Sequence, residues 1–161
     1  MGTKVSVNNR TLVHAKSGGT CIMFPDVCKV PAPPAPPIPT PFPNLGKSGD
    51  TSSGTESVKA DGESFMVKGA CFSKTSGDEA GSLGGMVSNT TRGKAEFVNF
   101  SFDVKAEGKS VARLGDPMIG NKGSAANTPP IPEVQAPDPA VVAGSGAGNP
   151  NQSLAKANWE E

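Results

Sequence analysis

The sequence predicts a mainly β protein with little helix, and three observations carry that prediction. Glycine and proline number 20 and 16 of 161 residues, and they interrupt nearly every window in which a helix could run. Short apolar segments flank the turn pairs Asn8-Asn9 and Asp61-Gly62, the pattern of tight hairpins. Aromatic residues are 5% of the chain and tyrosine is absent, so few large side chains are on hand to fill a conventional core.

Taken in order, residues 4–14 (KVSVNNRTLVH) read as a first hairpin, with Val5 and Val7 before the turn and Leu12 and Val13 after it. Met1-Gly2 with Ser6 formally fits a myristoylation pattern, but a strand start at Lys4–Val7 is the preferred reading. A loop and the apolar patch Cys21-Ile22-Met23 lead into FPDVCKVPAPPAPPIPTPFPNL, residues 24–45. Proline fixes φ and removes a backbone donor, so residues 31–43 are expected to be neither helix nor central strand. They are expected to form a rigid polyproline II strap of about 40 Å across the domain. Residues 47–55 read as a polar loop.

VKADGESFMVKG (58–69) and VKAEGKSVARLG (104–115) align at an offset of 46. With the looser match of residues 5–13, they suggest three copies of one strand–turn–strand unit and approximate threefold character. Residues 73–85 read as a loop, Met86–Thr91 as a candidate strand, and Phe97–Val104 as the best strand, with Val98, Phe100, Phe102 and Val104 on one face. After Asp116 the signal fades. Residues 1–127 are therefore expected as one domain and residues 128–161 as an extended Pro/Ala/Gly-rich tail, ending in a short helix capped by Ser153.

The chain carries 15 basic and 15 acidic residues, which argues against nucleic acid or an anionic membrane surface as the main partner. No apolar run reaches the length of a transmembrane helix, and the polar start does not resemble a signal peptide. Asp78-Glu79 reads as a solvated turn rather than a catalytic acid pair. No phosphate-binding loop or nucleophile elbow occurs, and a lone histidine leaves little for a triad. PAPPAPPIP contains PxxP, which keeps a polyproline-presenting adaptor as an alternative.

FPDVCKVPAPPAPPIPTPFPN, TSGDEAGSLGGMVS and SFDVKAEGKSVARLGDPM occur in that order, and together they closely resemble the PAAR-like proteins of type VI secretion and related contractile injection systems. The resemblance covers roughly residues 4–120. It implies a compact conical spike domain that caps and sharpens a trimeric VgrG-like spike, aiding membrane piercing and effector delivery. On this reading the protein is non-enzymatic, and it stays cytoplasmic until loaded on the spike and then leaves the cell without a signal peptide. The C-terminal tail reads either as a disordered end without a role or as a docking handle for an effector or adaptor through Leu154, Trp159 and Val141-Val142, and contact with the target membrane is expected to be transient. A small metal-dependent enzyme or secreted toxin is the alternative from another class.

Ordinary relatives are pinned by a zinc ion held by histidines and a cysteine. This sequence departs from that pattern, since PMIGNKG follows ARLGD without a histidine. His14, Cys21, Cys28 and Cys71 add up to a tetrahedral Cys₃His zinc set, although their spacing matches no known finger. The other reading keeps the cysteines as small buried residues and His14 as a surface histidine. Both stay open on sequence alone.

Overall fold

The computed structural model describes residues 3–136. Among them the only helical element is a 3₁₀ turn, Ser48–Asp50. No helix of the described residues is long and apolar enough to cross a membrane. The expected terminal helix and its Trp159 lie outside the described residues.

The first hairpin forms as expected. β1 (Ser6–Val7) pairs antiparallel with β2 (Arg10–Thr11) across Asn8 and Asn9, whose φ values are 51° and 64°. Two positive φ values in succession are what a type I′ turn requires, and asparagine tolerates them.

The proline run departs from expectation. β3 (Thr20–Ala32) and β4 (Ala35–Lys47) form one long antiparallel hairpin that folds back at Pro33-Pro34. Neither a single-pass strap nor a free polyproline ligand is present, because the backbone is paired. The physical reason lies in parity. Lys29 pairs with Pro39 and Val27 with Pro41, while the Lys29 amide turns away from β4 and donates to Gly84 O at 2.9 Å. These are therefore the pairs whose amides face outward, and a proline there forfeits no ladder bond. Ile38, Thr40 and Phe42 fall on the other parity and keep the inward donors. Residues 33–39 at the end of this hairpin are all exposed.

β5 (Thr51–Ser52), β6 (Cys71–Phe72) and, further on, β8 (Lys94–Phe97), β11 (Pro117–Lys122) and β12 (Ile131–Pro132) make a five-stranded sheet in the order β12-β11-β8-β6-β5. β7 (Thr75–Ser76) adds to the β4 edge at Leu45 and Gly46. β9 (Lys105–Ala106) and β10 (Lys109–Ser110) close the last hairpin across Glu107 and Gly108, at φ 51° and 76°.

Three sequence expectations fail here. Met86–Thr91 is a turn with no strand. The strand expected over 97–104 is instead β8, displaced to 94–97. Beyond Phe97 the Ser101 hydroxyl accepts the Val104 amide (3.1 Å) and donates to Asp103, and this local bonding replaces a ladder, leaving Phe102 exposed. β11 is the strand missed where the signal had faded.

The threefold character is realised in detail. After each turn pair comes a short segment, and the three segments bridge one another in a closed ring: Leu12 with Arg113, His14 with Phe65, and Val67 with Val111. Met66 N bonds Val13 O at 2.8 Å, Ala112 N bonds Met66 O at 3.0 Å, and Leu114 N bonds Thr11 O at 2.9 Å. Each segment ends in the same turn, Ser17 N to His14 O, Ala70 N to Val67 O and Asp116 N to Arg113 O.

The turn residues also link the units in a cycle. Asp61 accepts from Thr3 (2.7 Å) and Lys4 N (2.9 Å), Glu107 accepts from Glu56 N and Ser57 N, and Asn8 donates to Asp103 (3.0 Å). Leu12, Val13, Phe65, Met66, Val67, Val111 and Ala112 fill the ring, and they are continuous with Met23, Phe72, Phe97 and Met118. Phe72 and Phe97 meet edge to face at 6.1 Å. Residues 128–136, expected to begin the tail, pack back onto the domain. Val134 exchanges amide bonds with Thr20 at 2.8 Å, and the Gln135 amide donates to Thr11 Oγ1 (2.7 Å) and Leu12 O (2.6 Å).

Candidate functional site

The chemistry-bearing residues gather at the root of the long hairpin. Asp26 and Cys28 stand two apart on β3, so both point to the same face. Against that face lies the glycine-rich loop that follows β7. Gly81 packs so closely that a Cβ there would stand 2.2 Å from Cys28 Cβ, and one on Gly85 would meet the Asn127 amide at 2.4 Å. Only glycine allows this approach. It brings Asp78 inward, where Asp26, Cys28, Asp78 and Asn121 are each fully buried. Asp78 is thus corrected from a solvated turn residue to a buried one, while its neighbour Glu79 stays exposed and pairs with Arg92.

One ligand atom from each of Asp26, Cys28 and Asp78 lies within 4.8 Å of the other two. Cys28 Sγ is 3.5 Å from Asp26 Oδ1 and 3.9 Å from Asp78 Oδ2. The Arg92 backbone amide donates to both Asp78 oxygens, at 3.1 and 3.0 Å. Asn121 Nδ2 donates to Asp26 Oδ1 (3.1 Å) and Thr90 O (2.8 Å), and Asn127 Nδ2 donates to Asp26 Oδ1 and Val27 O. Asp26 Oδ2 is buried without a hydrogen-bond partner.

In the metal-free protein, burial and then the neighbouring Asp26 and Asp78 carboxyls push the Cys28 thiol up to about 12, so without a bound cation it stays protonated at neutral pH. Burial and the Asp26 carboxyl push Asp78 up to about 6 against the opposing Arg92 amide. Two buried carboxyls and a thiol with no side-chain cation among them must hold protons or a metal ion.

The zinc set expected from the sequence does not form. His14 is buried rather than on the surface, with Nε2 3.2 Å from Asp61 and Nδ1 accepting the Lys16 amide. Cys21 Sγ faces the Ile131 and Pro132 carbonyls, beside Glu133. Cys71 is half-buried on β6, opposite Glu96. Of the four, only Cys28 belongs to a group of metal-ligating side chains among the described residues. His14, Cys21 and Cys71 are held apart because the first serves the ring, the second the β3 edge and the third the five-stranded sheet. Asp26 and Asp78 were not singled out as ligands in the sequence, although PDVC and the glycines around GDEAG carried the signal.

The profile of the toxin PAAR-like domain matches residues 19–129. The DNase toxin Tse7 of Pseudomonas aeruginosa is 37% identical over 138 residues, covering 81% of this chain and 36% of that protein. The chain thus spans about a third of the length of the curated relative it matches. No solved structure matches it. The relative is an enzyme by name, which overturns the expectation of a non-enzymatic protein. Its name also makes DNA its substrate, so the even charge of this chain no longer serves to exclude nucleic acid. On the match over residues 19–129, the chain belongs to the toxin PAAR-like domain family.

Proposed function

We propose that this domain is the tip of a type VI or related contractile injection spike, and that it caps a trimeric VgrG-like protein as part of a toxin delivery system. The observation that carries the reading is the closed ring of three equivalent segments, 12–14, 65–67 and 111–113, with its cyclic turn-to-neighbour hydrogen bonds. A trimer end presents one surface three times, and a single chain meets it evenly only by repeating its own contact surface three times. The projecting hairpin is the stiff element of such a tip, since its prolines restrict the chain while its ladder stays intact. The domain loads on the spike inside the producing cell, leaves with it, and touches the target membrane only in passing.

The likeness to a DNase toxin supports a second component of the reading: the domain serves the delivery of a DNA-cleaving activity. Co-expression with a VgrG-like trimer and mass measurement of the complex tests the tip role. DNA cleavage by the purified protein, with and without divalent metal, tests the toxin role independently.

A further inference from the structure

We propose that Asp26, Cys28 and Asp78 form a binding site for a divalent transition-metal ion, held by one oxygen from each carboxylate and by Cys28 Sγ. The site differs from the histidine-containing set that the chain's residue types suggested, and it stands whether or not the domain caps a spike.

Four observations carry it. First, the separations of 3.5 and 3.9 Å between Sγ and the two carboxylates suit neighbouring donors around one ion. Ligands about 2.0–2.3 Å from a tetrahedral zinc stand about 3.3–3.8 Å from each other. Second, no hydrogen-bond donor reaches the buried Asp26 Oδ2, and the Asp26 carboxyl lies against that of Asp78, a buried pair that needs a shared proton or a bound cation. Third, the surrounding groups are all N–H donors. Asn121 and Asn127 hold Asp26 Oδ1, the Arg92 amide chelates Asp78, and Asn121 Nδ2 also reaches Sγ at 3.5 Å. Donors of this kind orient metal-bound carboxylates and stabilise a thiolate. Fourth, among the described residues neither aspartate has an ion pair with a lysine, arginine or histidine, and the nearby Arg92 side chain is taken by Glu79. A mixed oxygen and thiolate set selects zinc-like ions over calcium or magnesium. The fourth position is left to water.

The ion would tie β3 to the loop that carries Asp78, at the root of the exposed proline hairpin. The chelator-stripped full chain, titrated with Co²⁺, is expected to take up one equivalent and to develop sulfur-to-cobalt charge-transfer absorption that Zn²⁺ abolishes. Asp26→Asn and Asp78→Asn are expected to weaken binding at least about tenfold, Cys28→Ser to remove the absorption, and Cys71→Ser to leave both unchanged. Zinc should also raise the melting temperature of the wild type but not of Asp26→Asn.

The proposal is overturned if the stripped wild type shows no such band and retains less than about 0.2 equivalents of zinc. It is equally overturned if binding survives Asp26→Asn and Asp78→Asn but is lost in Cys71→Ser. A metal-indifferent chain that Asp26→Asn stabilises would instead mean that the two carboxyls share a proton.

Discussion

Glu133 shows how a single residue can set the pH response of the fold. Its side chain, on the returning segment 128–136, is fully buried against the domain, and the Gly115 backbone amide only partly opposes that burial. Burial, with Asp116 nearby, pushes it from 4.5 up to about 8. The native state then holds a proton that the unfolded chain has already released. Stability therefore falls as pH rises from about 4.5 to about 8 and levels off above that. Glu133→Gln is expected to remove this slope and to stabilise the domain at pH 8 by on the order of 2 kcal/mol, measured by denaturant unfolding at pH 5 and pH 8.

Asp61 works in the opposite direction. Burial alone would raise it, but the Thr3 hydroxyl, the Lys4 amide and His14 hold it below its ordinary 3.8. Its contribution is present above that value and is lost as pH falls through the lowered one. Asp61→Asn keeps a residue that tolerates φ of 52° but loses the charge. It is expected to cost about 1 kcal/mol at pH 7 and to flatten the acid limb of the stability profile. Neither role was legible in the sequence beyond the turn itself, because burial and cross-unit bonding are properties of distant residues.

At the scale of elements, the turn pairs were the most legible feature. Asn8-Asn9 and Asp61-Gly62 demand their conformation locally, and the structure obeys. The proline hairpin was the least legible, because a count of prolines hides their parity. Pro37, Pro39, Pro41 and Pro43 occupy every second position, so all their missing donors fall on one edge of β4. Pro39→Ala and Pro41→Ala are accordingly expected to cost less than about 1 kcal/mol. Thr40→Pro, one residue away on the inward edge, is expected to cost about 2–3 kcal/mol in thermal or denaturant unfolding. Equal costs at the two parities would refute this account of the hairpin. The strand read at 97–104 failed for the complementary reason. Its alternation was real, but Ser101 and Asp103 bonded locally and to Asn8, and so ended the ladder. The group proposed to hold a metal was half legible. Cys28 was named, while Asp26 and Asp78 meet it only because glycines let a loop 50 residues away lie against β3.

For the whole molecule, the three-unit ring and the long hairpin define two working regions. The ring buries its three segments and turns its three repeated turns outward, and the hairpin ends in an exposed tip. The internal repeat made the ring readable in part, since the 58–69 and 104–115 units align directly and the first only by its turn. The DNA-cleaving activity in the relative's name was not readable, because no nucleophile, acid–base or phosphate-binding motif stands out in this sequence. The proposed tip role requires one chain to cap one trimer. Its most direct test is the mass of the complex formed with a VgrG-like trimer, measured by light scattering on a size-exclusion column. One copy of this chain per trimer is expected, whereas three copies per trimer, or no complex at all, would rule the tip role out.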